Sequence, residues 1–262
     1  MDEEAIRLDG RGLATLPDDL RTQVGVRHLD VRSNRLTALP DWLAELPALT
    51  SLSIGDNPLG GIPPVVTRLT RLEQLYVHEL ALETVPPQLG DLTALRTLDI
   101  GHNRLGGLPP ELGGLTALTV LYLADNRLAA LPEPVRRLRA LRYLGATDNA
   151  IAAVPEWIAE LRELQELRLS HNPITALPAA LGGLPRLREL HLRGTRLTSL
   201  PDALAGLPEL RLLDLRANRL ATVPDALADL PALEKLDLRW NLMLDPPPAA
   251  LRLESRGCVV LI

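Results

Sequence analysis

Asparagine recurs at a fixed interval of 23 residues along most of this 262-residue chain. Steps of 23 from residue 34 to residue 241 give ten positions, and only Leu80 and Thr195 depart from Asn. The other eight positions are Asn34, Asn57, Asn103, Asn126, Asn149, Asn172, Asn218 and Asn241. No insertion breaks the register, which predicts a stack of similar units whose apolar faces are buried only against each other.

The residues around each Asn obey the same period. The unit reads L-x-x-L-x-L-x-x-N-x-L-x-x-L-P-x-x-L-x-x-L-x-x, as in the copy from Leu164 to Leu184. The alternation in Leu-x-Leu is typical of a strand whose leucines point inward while the residues between them point outward. The Asn amide is expected to satisfy backbone groups of the turn after the strand, in its own repeat and in the neighbouring one. Leu-Pro followed by x-x-L-x-x-L predicts an extended step and then a short helical turn.

This unit resembles the leucine-rich-repeat superfamily over nearly the whole chain. The 23-residue length with Leu-Pro is most similar to the intracellular Ras-group repeats of Ras-suppressor, scribble-like and plant proteins, and to their bacterial relatives. The resemblance implies an α/β leucine-rich-repeat solenoid, a right-handed horseshoe. Its parallel sheet would lie on the concave face and its short helical or 3-10 turns on the convex face. The resemblance also implies binding through the sheet and makes a small GTPase a candidate partner.

We expect one leucine-rich-repeat domain, 1–262, with an N-terminal capping repeat at 1–24, regular repeats at 25–245 and a C-terminal cap at 246–262. Continuing the period into the cap places Val259 and Leu261 inward, and Cys258, Val260 and Ile262 outward. That edge strand would be apolar on both faces and could pair with another chain. Sealing of the core is the preferred interpretation, so a monomer is expected rather than a dimer through this edge.

Composition narrows the class of protein. The net charge of −5 argues against nucleic-acid binding through a basic field, and the single cysteine excludes an internal disulfide framework. No apolar run is long enough to span a membrane, and the acidic start Met1-Asp2-Glu3-Glu4 is unlike a signal peptide, so a cytoplasmic protein is expected. Lys235 is the only lysine among 28 basic Lys and Arg residues, which suggests a GC-rich, bacterial genome.

The unusual side chains concentrate in the outward columns of the sheet. These columns lie six, four, two and one residue before each Asn position, and they contain all five His, all three Tyr and Trp240. Aromatic residues with a polar group are typical binding anchors. The predicted partner-binding residues are Tyr76, His78, Asp99, Tyr122, Tyr143, Arg168, His191, Arg193, Arg216, Arg239 and Trp240.

Two clusters within this set are of interest. Tyr76, Tyr122 and Tyr143 would fall within roughly 15 Å of one another, among small residues, and would form the central contact. The alternative is that exposed sheet positions simply favour Tyr. The second cluster is a stripe of Arg193, Arg216 and Arg239, expected to stay net positive and to dock a carboxylate-bearing surface. Its alternative is pairing within the sheet with Asp214 and Asp237.

The column just before the Asn positions runs Asp56, Glu79, His102, Asp125, Asp148, His171. Such residues can hold a divalent metal, but neighbours one strand spacing apart do not form a compact shell. An acidic strip that attracts a basic partner is the preferred interpretation. We therefore expect no metal, no cofactor and no catalytic residue, since no nucleophile, base and orienting group occur together.

The sequence thus predicts a non-catalytic scaffold or adaptor that binds a partner protein on its concave sheet. The alternative is a receptor for a peptide or small ligand at the Tyr cluster, and a metal-dependent enzyme is the remote alternative.

Replacing Leu80 with Asn should restore a missing hydrogen bond of the Asn series and stabilise the fold by about 1 kcal/mol.

Overall fold

The computed structural model describes residues 4–243 and 245–262. The acidic start of the predicted N-terminal cap (residues 1–3) and residue 244 of the predicted regular repeats lie outside the described residues. The chain divides into two compact units, and each is described by itself. Unit 1 comprises Met1–Arg127 and Glu133–Leu138, and unit 2 comprises Leu128–Pro132 and Arg139–Ile262. That all repeats act as one domain stays a prediction.

Unit 1 alternates short parallel strands with 3-10 helices, one pair in each repeat. Neighbouring strands along the chain are also neighbours in the sheet. The strands are β1 (Ala5–Arg7), β2 (His28–Asp30), β3 (Ser51–Ser53), β4 (Gln74–Tyr76), β5 (Thr97–Asp99) and β6 (Val120–Tyr122). The 3-10 helices are Asp18–Thr22, Asp41–Glu45, Pro64–Arg68, Pro87–Asp91, Pro110–Gly114 and Glu133–Arg137.

Unit 2 repeats this arrangement and ends with an α-helix and a last strand. Its strands are β7 (Tyr143–Gly145), β8 (Glu166–Arg168), β9 (Glu189–His191), β10 (Leu212–Asp214), β11 (Lys235–Asp237) and β12 (Val259–Leu261). Its 3-10 helices are Glu156–Glu160, Ala179–Gly183, Asp202–Gly206 and Asp225–Asp229, and helix α1 spans Pro248–Ser255. Across the described ranges, no helix combines the length and the apolar character needed to cross a bilayer.

The strands confirm the predicted alternation. In β4 the central Leu75 is fully buried, whereas its neighbours Gln74 and Tyr76 are only partly buried on the opposite face. Register is set by the repeat, so that Leu75 lies opposite Leu98 of β5. Each unit therefore has a leucine-filled core on one side of its sheet and a variable face on the other, which we call the outer sheet face.

The Leu-Pro step explains where the short helices begin. Pro86 is extended, with φ −64° and ψ 133°, and the helix Pro87–Asp91 starts at the next residue. The N–H of Leu89 donates to the carbonyl of Pro86 at 3.0 Å, which is the three-residue spacing of a 3-10 helix. Leu89 is fully buried, so the turn contributes its apolar residue to the core. The predicted helical turns are confirmed.

The Asn residues act as predicted. The Nδ2 of Asn103 donates to the carbonyls of Val77, Ile100 and Gly101 at 2.9–3.1 Å, which joins two successive repeats. Its Oδ1 accepts the N–H of Leu82 at 3.0 Å. The side chain is 9% exposed, so each of these bonds satisfies a backbone group that lies away from water.

At the two exceptions, the Asn of the following repeat makes one contact beyond the regular pattern of the series. The Oδ1 of Asn103 also accepts the N–H of Leu80, at 3.0 Å. In unit 2, the Oγ1 of Thr195 lies within hydrogen-bond distance of the carbonyl of Leu192 and of the Oδ1 of Asn218, and its single proton is donated to one of these two acceptors. The strand register continues unchanged past both positions.

The predicted orientation of the last strand is wrong by one residue. Val259 pairs with Lys235, 24 residues away rather than 23, so Val259 and Leu261 lie in the outward register and Val260 in the inward one. Cys258, expected outward, is 7% exposed, and Val259, expected inward, is 55% exposed. The physical reason is helix α1, whose eight residues and the following Gly257 at φ 89° replace a five-residue 3-10 helix. A one-residue shift moves each side chain of a strand to the other face.

Candidate functional site

In unit 1, Asp99 lies between two tyrosines on the outer sheet face. Tyr76 of β4 pairs with Asp99 of β5, which pairs in turn with Tyr122 of β6. All three side chains are partly buried. Burial, followed by the charges of Tyr122 and Asp99, raises the pKa of the Tyr76 hydroxyl. Tyr76 therefore stays a neutral hydrogen-bonding group at all pH values near neutrality.

His78 lies beside this row and is held close to the sheet. A Cβ atom on Gly55 would come within 2.7 Å of the Nε2 of His78, so only glycine at 55 leaves room for the imidazole. The Nδ1 of His78 lies 3.5 Å from the Oδ2 of Asp99 and has no closer polar partner anywhere in the described chain. The other oxygen of Asp99 accepts the N–H of Gly101 at 3.0 Å. This geometry places a carboxylate and an imidazole in a fixed relation.

The carboxylate of Asp99 changes the protonation of His78. Its interaction with the imidazole is the largest influence and raises the pKa of His78, although burial of the ring acts in the opposite direction. The two side chains are only 19% and 23% exposed, so water screens the pair less than it screens a surface pair. Asp99 thus favours the charged form of His78 relative to a free histidine.

A hollow opens on the same face of unit 1, on the N-terminal side of Tyr76. Its volume is about 530 Å³. The lining includes His28, Asp30, Arg32, Ser51, Ser53 and Tyr76. The mixture of an aromatic ring with polar and charged groups suits a ligand that presents hydrogen-bonding groups.

The column just before the Asn positions has a structural role. Its residues adopt the left-handed backbone conformation, with φ of 51° at Asp125 and 55° at Asp148. Asp is among the residues that tolerate this conformation, which accounts for the acidic residues in the column. His102 and His171 each pair with an Asp of a neighbouring repeat at 3.0 Å, but these pairs are largely exposed. We therefore assign the acidic and histidine residues of this column to the turn and not to an acidic binding strip.

In unit 2 the predicted residues Tyr143 and Arg168 lie together. The Arg168 guanidinium lies over the Tyr143 ring, 5.9 Å from its centroid, and Arg168 is also paired with Glu166 of its own strand. Gly145 makes room for the Tyr143 ring, since a Cβ atom there would lie 2.8 Å from the Tyr143 hydroxyl. Tyr143 belongs to unit 2, whereas Tyr76 and Tyr122 belong to unit 1.

Two arginines of the predicted stripe are compensated. Arg216 forms a two-point contact with Asp214 at 2.8 and 2.6 Å, and Arg239 forms the same contact with Asp237 at 2.9 and 2.7 Å. Burial by itself would raise the pKa of Asp214, but the hydrogen bonds and charge of Arg216 outweigh it and lower that pKa. Pairing within the sheet, the alternative interpretation of the stripe, thus holds for these two arginines.

Arg193 differs from the other two. Within residues 4–243 and 245–262, no carboxylate forms an ion pair with it, because its strand carries His191 where β10 and β11 carry Asp. Its guanidinium lies 5.6 Å from the ring centroid of Trp240, and that of Arg239 lies 5.5 Å from the same centroid. Trp240 is 63% exposed. Arg193, Arg239 and Trp240 form what we call the Trp240 surface.

Residues outside the predicted set also take part. Glu166 and Glu189 approach His191 on β8 and β9, and the buried Asp214 and Asp237 orient two arginines. The signal for all four was present in the sequence, since each lies four or six residues before an Asn position or its equivalent. Their mutual approach across strands was not, because it depends on side-chain conformation.

Comparison with known proteins agrees with this architecture. The family model for the leucine-rich repeat region matches residues 87–172 and 132–245, which together span 87–245. No curated protein matches the chain significantly.

Solved structures share the fold. A leucine-rich-repeat protein of Leptospira interrogans is 23% identical with a TM-score of 0.58, over 100% of this chain and 96% of its own. The internalin InlF of Listeria monocytogenes is 19% identical with a TM-score of 0.67, over 98% and 86%. The plant peptide hormone receptor RGFR1, solved in complex with RGF2, is 28% identical with a TM-score of 0.66, over 83% of this chain. The chain spans 40% of that receptor.

Proposed function

Because the chain belongs to the leucine-rich-repeat family, we propose that it is a non-catalytic, cytoplasmic scaffold that binds a partner protein on its outer sheet face. The observation that carries the proposal is the exposed Trp240, flanked by two guanidinium groups. Tryptophan and arginine are the residues most enriched at the energetic centres of protein interfaces.

The backbone at Trp240 supports a role outside folding. Trp240 has φ of 63°, a left-handed conformation that is costly for a bulky side chain. The same position in the other repeats of unit 2 holds Asp148, His171, Gly194 and Ala217, all of them smaller. A strained and largely exposed tryptophan lowers the stability of the free protein, and such strain tends to occur at functional sites.

Charge indicates the kind of partner. The carboxylates beside Arg216 and Arg239 are already engaged, whereas Arg193 lies over the Trp240 ring and forms no ion pair with any of the described residues. A guanidinium binds a carboxylate with two parallel hydrogen bonds, which lysine cannot reproduce. The partner is therefore expected to bring an Asp or Glu to Arg193 and an apolar surface to Trp240. A small GTPase, suggested by the Ras-group resemblance, is one candidate.

A second candidate function is a receptor for a peptide or small ligand in unit 1. The hollow beside Tyr76 favours it, since it offers about 530 Å³ and mixed polar lining. The similarity to a plant peptide hormone receptor agrees with this alternative. Tyr76, with its hydroxyl neutral, would then contact the ligand in the hollow, and a peptide that extends beyond the hollow would reach His78, Asp99 and Tyr122.

Variants of the Trp240 surface and of Tyr76 test the two candidate functions against each other. The full chain is immobilised, host proteins are captured, and the affinity of each purified candidate is measured with wild type, Trp240→Asn, Arg193→Gln and Tyr76→Ala. Trp240→Asn should weaken the binding of the partner by about 2 kcal/mol or more. Ala217→Asn is the matched control, because residue 217 has φ of 54° at the same position of the preceding repeat, and it should leave affinity unchanged.

The melting temperatures complete this test. Asn tolerates the left-handed conformation, so Trp240→Asn should fold with equal or greater stability. A partner that keeps its affinity for Trp240→Asn but loses it for Tyr76→Ala would favour the receptor alternative. A partner affected by none of these variants would contradict both candidate functions on the outer sheet face.

A further inference from the structure

Strand pairing in unit 2 brings two glutamates and a histidine to one point of the outer sheet face. Glu166 of β8 lies directly opposite Glu189 of β9, and the two residues share a face. His191 follows Glu189 by two residues on β9, so its side chain projects from that same face. Adjacent strands lie about 4.8 Å apart, and glutamate side chains are long enough for their carboxylates to converge from that distance.

The side chains do converge. The Nε2 of His191 lies 3.0 Å from the Oε2 of Glu189 and 3.8 Å from the Oε1 of Glu166. One ligand atom from each of the three residues lies within 4.8 Å of the other two. The side chains of His191 and Glu166 are 16% and 24% exposed, whereas that of Glu189 is 41% exposed, so the cluster opens to water on the Glu189 side.

The charges around the cluster leave a place for a cation. Like charges directly opposite one another on neighbouring strands repel. Arg168 is paired with Glu166, and Arg216 is bound at two points to Asp214, the residue opposite His191 on β10. One of the two glutamate charges is therefore left to be neutralised at the position towards which His191 points.

We propose that Glu166, Glu189 and His191 bind a zinc-class divalent cation. One imidazole nitrogen and two carboxylate oxygens form a donor set that zinc accepts, with ligand bonds of about 2.0–2.2 Å. The imidazole favours zinc over magnesium and calcium, which prefer all-oxygen shells. Asp214 stays with Arg216, so water or a donor from a partner would complete the coordination.

Arg168 takes the role of an orienting residue in this site. It holds Glu166 by an ion pair and lies over the Tyr143 ring, which fixes the direction of the carboxylate. Groups that orient a metal ligand typically change metal affinity by about 10- to 100-fold. The site differs from the acidic column considered in the sequence, because two of its ligands share one strand and all three side chains reach a single point.

A protonated His191 held between two carboxylates is the competing explanation, and metal titration separates the two. The full chain, freed of metal with a chelating resin, is titrated with zinc against a chromophoric zinc chelator, and with magnesium and calcium by calorimetry. We expect one zinc per chain, a rise in melting temperature with zinc, and weak or no binding of magnesium and calcium.

Variants assign the binding to this cluster. His191→Ala and Glu189→Gln should each weaken zinc binding by about tenfold or more. His171→Ala is the matched control, since His171 has a single Asp partner in the same unit, and it should bind zinc like the wild type. Cys258→Ser checks for binding by the thiol. Circular dichroism verifies that each variant is folded, and Glu189→Gln preserves the shape of its side chain.

The proposal is overturned if the wild type shows no saturable zinc binding below about 100 μM, or if His191→Ala and Glu189→Gln both bind zinc like the wild type. Loss of binding in Cys258→Ser alone would also overturn it. Partner binding through the Trp240 surface is measured separately, so failure of one proposal leaves the other standing.

Discussion

The outer sheet face of unit 1 holds His78 close to the sheet, whereas that of unit 2 holds Trp240 away from it. His78 is 19% exposed because Gly55 leaves room beneath its ring. Trp240 is 63% exposed because its backbone turns it outward at a left-handed position. The two residues lie in different columns, since His78 lies two residues before position 80 of its repeat and Trp240 lies one residue before Asn241, where the backbone is left-handed. The column that a residue occupies, together with the room left by a small neighbour such as Gly55, decides how close its side chain lies to the sheet.

The units differ in a second way, at their missing Asn. At residue 80 the backbone rearranges, and the N–H of Leu59, which an Asn at 80 would bind, donates instead to the carbonyl of Asn57 at 2.8 Å. At residue 195 no such rearrangement occurs. The N–H of Ile174, a fully buried residue, has no hydrogen-bond acceptor in the part of the chain that the structure describes. In unit 1 the N–H left by the missing Asn has another acceptor, whereas in unit 2 the corresponding N–H is unsatisfied among the described residues.

The largest effect is expected from Asn103→Ala in unit 1. The Oδ1 of Asn103 accepts hydrogen bonds from the N–H groups of both Leu80 and Leu82, whereas the Oδ1 of Asn57 in the same unit accepts one, from Leu36. Removing Asn103 leaves several buried groups unpaired, and we expect a loss of about 3–5 kcal/mol in the free energy of unfolding. Denaturant unfolding of Asn103→Ala and of the comparison variant Asn57→Ala measures the two losses. Equal losses for Asn103→Ala and Asn57→Ala would show that the extra bond to Leu80 contributes nothing.

An intermediate effect, opposite in sign between the units, is expected for Leu80→Asn and Thr195→Asn. Leu80 is 4% exposed, so its replacement loses apolar burial of roughly 1.5–3 kcal/mol against a gain of about 1 kcal/mol from new hydrogen bonds. The structure therefore reverses the sign that the sequence suggested for Leu80→Asn. Thr195→Asn gives Ile174 its missing acceptor and should stabilise by about 1 kcal/mol. The prediction is contradicted if Leu80→Asn and Thr195→Asn both raise, or both lower, the melting temperature.

The smallest effect is the pH dependence of stability, and it too differs in sign between the units. The pKa of His78 is raised in the folded state, so its contribution is complete below the ordinary histidine pKa and is lost as pH rises through the folded value. The pKa of Asp214 is lowered, so its contribution is present above the ordinary aspartate pKa and is lost as pH falls through the folded value. The difference in melting temperature between wild type and His78→Gln should therefore shrink towards alkaline pH. The difference for Asp214→Asn should shrink towards acid.

Control variants separate these effects from general changes. His102→Gln belongs to an exposed pair in unit 1 and should alter the melting temperature little at any pH. A His78→Gln difference that does not depend on pH would show that the imidazole contributes by packing alone.

Much of the architecture was determined by the sequence alone. The 23-residue spacing set the strands, the Leu-Pro steps set the start of each short helix, and the buried Asn series followed from its position in the turn. These features depend on local pattern, since a strand with alternating leucines and a proline with fixed φ behave alike wherever they occur. The outward columns were predicted for the same reason, which is why Tyr76, His78 and Trp240 were found where the spacing placed them.

The tertiary structure decided what spacing does not encode. Helix α1 adds one residue before β12 and turns Cys258 inward, which the period alone could not reveal. Side-chain conformation decided which arginine charges are compensated. Arg216 and Arg239 form ion pairs with carboxylates, whereas Arg193 lies over the Trp240 ring. The approach of Glu166 and Glu189 to His191 arose in the same way. Sequence periodicity fixes the direction of each side chain, but contacts between strands depend on the conformations that neighbouring side chains adopt together.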